Sequence, residues 1–332
     1  MRWIKRLCIF AAILAVLWSG LWYAASTVLN QQITAGLKRM EQRGTTLTCN
    51  NQSVGGFPFQ IGPRCDTISA RIDGGARDVI TGGAVKANAL LLNPGAFAAN
   101  LTAPVTLQVA GGTTAARWNS LEVNGKITFD GGFDELAMQG DQVSLNSPAV
   151  QTTVQRLALR LAPNAEPDPK AHLELSMDSK ALALTSAVVA INPIDVKIDA
   201  RLLQSYQALI IAKQPWPIFA RDGFQTQLEN LTLRTADNGM LDVSGPLSVD
   251  DAGLISGTLQ IAIANPTALV DWANTLPREV QRAIAALAQS VTSVGKAQTI
   301  DGLKSKTIEV TVTRGVVKLG FFTLATLPPL RF

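Results

Sequence analysis

Two hydrophobic periods divide this chain. From Leu7 to Ala25 the run LCIFAAILAVLWSGLWYAA carries no charge. As a helix its 19 residues reach about 28 Å, close to the roughly 30 Å hydrocarbon core of a bilayer. Leu29, Ile33, Leu37 and Met40 continue an apolar stripe at helical spacing beyond that run. From about Val54 the period drops to two. Leu121, Val123 and Ile127 alternate with Glu122, Asn124 and Lys126, the pattern of a sheet with one apolar and one polar face. The same alternation returns at 155–161, 171–177, 194–200, 228–234, 240–243, 258–263, 308–312 and 316–321. Turn residues at 130–132, 163–169, Asp237-Asn238-Gly239 and Asp250-Asp251-Ala252-Gly253 separate many of these runs. The expectation is a mainly β fold with a few helices: an antiparallel, curled or two-layer sheet of successive hairpins behind an N-terminal transmembrane helix.

Helical spacing is rare in the body. Leu202, Leu203, Tyr206, Leu209 and Ile210 make one short stripe. A longer candidate opens at Asn265-Pro266, a capping residue followed by proline at the first helical position, and breaks at Pro277. It resumes with Val280, Ile284, Leu287 and Val291 on one face against Arg278, Gln281 and Arg282 on the other. That face reads either as a helix packed on a sheet or as a cover over an apolar groove.

Charge adds orientation. Arg2, Lys5 and Arg6 precede the apolar run, and the positive-inside rule then keeps residues 1–6 in the cytoplasm and exports the chain beyond Ala25. Trp18, Trp22 and Tyr23 fall near the far end of the span, where amphipathic rings favour the membrane interface. A cleaved signal peptide is the rival reading, with Ala24 and Ser26 as a poor cleavage site. The stripe running on past Ala25 favours an uncleaved anchor. The expected division is therefore 1–6 cytoplasmic, 7–25 transmembrane, 26–48 helical stalk and 49–332 exported body. Within the body only a weak composition change at 201–221 offers a boundary. The predicted place is the inner membrane, single-pass, with the body in the periplasm.

Composition narrows the chemistry. The chain has 332 residues, 47% hydrophobic, and a net charge of +4 with no basic cluster interleaved with aromatics. Nucleic acid is not an expected partner. A single histidine, His172, removes most triads and metal sites. No Gly-x-Ser-x-Gly elbow is present, and Thr81-Gly82-Gly83 has no Gly-Lys-Ser/Thr after it, so it reads as a turn. His172, Glu174, Ser176 and Asp178 share one polar strand face, which a solvated sheet explains without a metal. Neither a cofactor nor an enzymatic activity is expected.

Export makes sense of CNNQSVGGFPFQIGPRC, residues 49–65. In an oxidising compartment Cys49 and Cys65 should form a disulfide, and closing a loop of about fifteen residues contributes roughly 3 kcal/mol in the chain-entropy model. A metal site or redox dithiol lacks Cys-x-x-Cys and has only His172 to draw on. Cys8 is a small filler within the span. Gly55 and Gly56 permit a tight turn, Pro58 suits a strand start or edge, and Phe57 and Phe59 share a face. The two phenylalanines are expected to plug the membrane-proximal end of the sheet's apolar face.

The anchor, the Cys-bounded Gly-Phe-Pro-Phe segment, Thr313 to Gly320 and Leu327-Pro328-Pro329-Leu330 together resemble a domain-of-unknown-function family of membrane-anchored periplasmic proteins of alphaproteobacteria. The family's usual Leu-Gly-Pro is here Leu319-Gly320-Phe321. The strand-turn-strand of 241–259 resembles the repeated hairpins of AsmA-like envelope proteins, a likeness that implies an apolar β-groove for lipid. The resulting expectation is an anchored envelope protein that handles lipid, with the inner membrane and lipid as its partners. The alternative is a scaffolding envelope protein with a closed core that docks an unspecified protein. An envelope hydrolase working through carboxylates alone is the third class.

Overall fold

A computed structural model describes all residues except 1, 43–44, 73–77, 94, 110–111, 129–131, 165–171, 188, 213, 215 and 331–332. The turn signals at 130–131 and 165–169 lie outside the described residues. The chain divides into two compact units, residues 1–127 and 128–332. The 201–221 segment lies inside the second of them.

The first unit begins with helix α1 (Arg2–Glu41), which runs unbroken through the apolar stretch and the stripe beyond it. It stops short of the expected stalk end at 48. Thr45, Thr46 and Thr48 belong instead to strand β1 (Thr45–Asn50), where β-branched side chains fit a pleated surface better than a helical turn. Nine short strands follow: β2 (Ser53–Gly55), β3 (Gln60–Cys65), β4 (Thr67–Ile72), β5 (Asp78–Gly82), β6 (Val85–Leu90), β7 (Ala96–Leu101), β8 (Val105–Val109), β9 (Gly112–Arg117) and β10 (Ser120–Ile127). They form two antiparallel ladders, β1-β4-β5-β8-β9 and β2-β3-β6-β7-β10. The chain passes repeatedly from one ladder to the other, first between β1 and β2 and again between β3 and β4. There the disulfide joins Cys49 of β1 to Cys65 of β3, with Cα atoms 5.4 Å apart. Gly62 of β3 is obligatory, because a Cβ there would collide with the carbonyl of Ala87 on β6.

The second unit is a meander of long strands: β11 (Phe133–Asn146), β12 (Val150–Pro163), β13 (Leu173–Ser186), β14 (Ala190–Leu202), β15 (Phe224–Thr235), β16 (Met240–Val249), β17 (Ile255–Ala264), β18 (Lys296–Ile300), β19 (Leu303–Thr313), β20 (Val316–Leu319) and β21 (Phe322–Thr326). Successive antiparallel hairpins build a large sheet that does not close on itself. The hairpins at Asp301-Gly302 and Arg314-Gly315 have positive φ at both central residues, the condition that tight two-residue turns impose. Register shifts interrupt the β13–β14, β14–β15 and β15–β16 ladders, and such bulges bend a sheet and raise its twist.

Few helices interrupt this meander. A π-helical turn (Gln207–Ile211) and α2 (Trp216–Arg221) lie between β14 and β15. The expected stripe divides there: Leu202 ends the strand, while Tyr206, Leu209 and Ile210 pack with Phe133 and Leu173. After β17 come α3 (Pro266–Ala273) and α4 (Arg278–Val294), broken at Pro277 as the sequence indicates. Asn265 does not cap α3 through its side chain. It sits in the left-handed region and its amide donates to the carbonyl of Asp237 at 2.9 Å, tying the helix start to a neighbouring turn.

Candidate functional site

The cross-strand register of the second unit sets one apolar row across eight strands. Met138 faces Leu159, and the row continues through Met177, Ile198, Leu231, Val243 and Ile261 to Ile308. Period-two alternation places all of these side chains on one face. At the β17–β19 end that face is sealed. Ile261, Ile263, Ile308 and Val310 pack with Leu269 of α3 and with Ala288 and Val291 of α4 into one core. Burying side chains of this size stabilises the fold by about 1.5–3 kcal/mol each.

The four residues named as a groove cover are split by this packing. Val291 is 1% exposed, Ile284 and Leu287 pack partly buried against the core, and Val280 is left 42% exposed. So α4 rests on β17 and β19 and does not stand over the whole face. At the other end the Tyr206 turn packs on Phe133 and Leu173, with Leu136 and Leu161 beside it. The Tyr206 hydroxyl meets the Phe133 amide at 3.4 Å.

Between these two clusters Met138, Leu159, Met177, Ile198 and Leu231 are only partly buried and belong to neither cluster. The open row crosses five strands, four interstrand spacings or about 19 Å. One row nearer the β13–β14 turn, Ser179 is 2% exposed, and its hydroxyl has no hydrogen-bond partner among the described residues.

The reverse face is a grid of compensated charge. Arg160 pairs with Glu135 at 2.9 Å, Lys180 with Asp195 at 3.1 Å, Lys197 with Asp199 at 3.2 Å and Arg234 with Asp301 at 3.0 Å. Burial acts to raise the pKa of Asp199, but hydrogen bonds from Ser176 (2.7 Å), Asn230 (2.8 Å) and Lys197, together with the Lys197 charge, hold it below its ordinary 3.8. His172 is engaged structurally, its Nδ1 accepting the Gln204 amide at 2.8 Å. Among the described residues no group of three or more His, Cys, Asp or Glu side chains is placed to hold a metal ion.

A second cluster lies in the first unit. Phe57 and Phe59 do not plug a sheet face. They stand 54% and 58% exposed, with their rings against Trp22 and Trp18 of α1 at centroid distances of 5.5 and 6.4 Å. The Trp18 indole N–H donates to the Pro58 carbonyl and that of Trp22 to the Gln60 carbonyl, each at 2.8 Å. The indoles offer apolar area and a donor together, which a sheet face of aliphatic side chains does not. Among the described residues Tyr23 makes no such contact, and it is 72% exposed. Sequence reasoning identified all five aromatics but not their pairing.

The helix itself contains a window of mean hydropathy 2.0 with none of its residues buried, long and apolar enough to cross a membrane as an anchor or to serve as a signal sequence. Residues 22–328 match the model of a family described as "Uncharacterized protein conserved in bacteria (DUF2125)", and the chain belongs to that family. No curated protein and no solved structure matches it.

Proposed function

We propose that this family member is a single-pass envelope protein of the inner membrane, with a cytoplasmic N-terminus and a periplasmic body. In this reading it handles lipid by seating acyl chains on the open apolar row of its second unit, and it performs no covalent chemistry. The observation that carries the reading is the row Met138–Leu159–Met177–Ile198–Leu231, half-buried and outside both packed clusters. A contiguous apolar strip that stays partly open to water is costly and marks a surface with an occupant.

Its length of about 19 Å exceeds the roughly 15 Å of one leaflet's acyl layer, half of a ~30 Å core. Bulged ladders on β13 to β16 supply the bend that an elongated apolar ligand needs for lateral contact. The hydropathy of α1 and its basic first residues support the anchor and its orientation. The likeness of 241–259 to AsmA-like hairpins agrees with the groove.

Native mass spectrometry of the full chain released from detergent micelles tests this directly. The expected spectrum keeps lipid on the protein after activation has stripped the detergent, and Met177→Asp loses that adduct. A bare chain for the wild type, or an adduct indifferent to Met177→Asp, overturns the acyl-chain reading and leaves the strip as a docking face for protein.

A further inference from the structure

The hairpin that ends in Phe57 and Phe59 lies lengthwise along α1. At its upper end Gln52 Nε2 donates to Asn30 Oδ1 at 2.7 Å and reaches Thr34 Oγ1 at 3.5 Å. At its tip the contacts are to Trp18 and Trp22. Those helix positions recur at steps of four, one face of the helix, and from Asn30 back to Trp18 is twelve residues, about 18 Å. The hairpin therefore runs back down the helix, past Ala25 and into the apolar run. Trp22 and Trp18 lie three and seven residues before Ala25, about 5 and 10 Å below the end of the span.

Chemistry changes along this path as a bilayer would require. Above Ala25 the contacts are amide to amide and amide to hydroxyl; below it they are aromatic rings and indole N–H groups. A loop entering hydrocarbon must satisfy its backbone polar groups within the protein. Here Gly56 O accepts from the Gln60 amide at 2.9 Å, Pro58 O from Trp18, Phe59 O from the Leu91 amide at 3.0 Å and Gln60 O from Trp22. Pro58 has no N–H to satisfy.

The Leu91 contact brings a second loop alongside, on which Leu90 is 41% and Leu92 76% exposed. Neither loop carries a charge. Residues 50–63 contain none, and none occurs between Lys86 and Arg117. Four exposed apolar side chains, Phe57, Phe59, Leu90 and Leu92, thus stand beside the helix at the depth of its outer aromatic belt.

We infer that these two loops are a second membrane-insertion element: a wedge seated among the acyl chains just beneath the lipid headgroups of the outer leaflet, clamped to α1 by Trp18 and Trp22. The inference rests on α1 spanning the bilayer, as the proposed function has it. A helix alone leaves the body free to pivot, whereas a helix plus a wedge fixes the side and the height at which the first unit sits on the membrane.

The test uses the full chain in vesicles of phosphatidylethanolamine and phosphatidylglycerol, with p-benzoylphenylalanine placed singly at Phe57, Phe59, Leu92, Leu17 and Asn51. Leu17, 64% exposed on α1, reports the anchor, and Asn51, at the hairpin's upper end, reports water. After illumination the inference expects lipid adducts at 57, 59 and 92 in yields matching 17, and none at 51. Adducts at 17 with none at 57, 59 and 92 overturn the wedge and leave the anchor standing. Adducts from 57 and 92 to protein in place of lipid overturn it equally. Loss of lipid adducts at 17 overturns the anchor and the wedge together.

Discussion

One face of one sheet is treated in two ways. Under α3 and α4 the apolar row ends in Ile261 and Ile308, 8% and 6% exposed, locked against Val291 and Leu269 at 1% each. Beginning two strands from Ile261, the same row, in the same register and with side chains of the same kind, is left half-buried across five strands from Leu231 to Met138. The alternation that makes both halves is identical. What differs is whether the chain carries its own cover, and this difference separates a core from a candidate binding surface.

Introducing a charge should expose the contrast most strongly. Val291→Asp places a carboxylate in the sealed core, and is expected to lower unfolding stability by more than about 3 kcal/mol. Met177→Asp, whose carboxylate can reach solvent, should cost less than half of that while removing the lipid adduct. Chemical denaturation of both variants in the same detergent checks this, and equal losses would mean the open half is sealed too.

Truncation gives the next largest difference. Leu269→Ala should cost about 2–5 kcal/mol, the range for a fully buried leucine, and Ile198→Ala about 1 kcal/mol, since its site is only partly enclosed. Thermal midpoints would rank them, and the opposite order would break the comparison.

A smaller effect runs the other way. Ser179 buries a hydroxyl with no hydrogen-bond partner among the described residues, so Ser179→Ala is expected to stabilise the chain by about 1 kcal/mol in lipid-free detergent. Destabilisation there would mean that the hydroxyl is held by something the apolar row does not supply.

The smallest prediction concerns the polar reverse face. Because the pKa of Asp199 is held below 3.8 in the folded chain, its carboxylate contributes stability that is complete above that unfolded value. The contribution is lost as pH falls through the folded value. Asp199→Asn should cost about 1 kcal/mol at neutral pH, flatten the acid limb of the pH-stability curve and leave lipid retention untouched. An unchanged acid limb would refute the assignment.

Much of this was legible in the chain. The alternation from 121 to 321, the break at Pro277 and the pairing of Cys49 with Cys65 all follow from local period, local backbone chemistry or the export that the N-terminal run leads one to expect. The clamp of Trp18 on Pro58 was not, because it joins residues 40 positions apart and leaves no spacing signature. Nor could periodicity say which half of the apolar face α4 would cover. Val280 and Val291 fall on one helical stripe, yet one is exposed and the other buried, since the distance of each from the sheet is set by tertiary docking. Tyr206 lay on a stripe read as helical. Its burial against Phe133 depends on a π-helical turn that such a stripe does not distinguish from an α-helix.

The central claim is that the uncovered half of the row holds acyl chains. Phosphatidylglycerol carrying a diazirine within its acyl chain, incorporated with the full-length protein and followed by peptide mapping of the photo-adducts, addresses it most directly. The account predicts adducts at Met138, Leu159, Met177, Ile198 and Leu231, with none at Ile261 or Ile308. Adducts confined to α1 and the loops beside it, with the second unit unmarked, would contradict it.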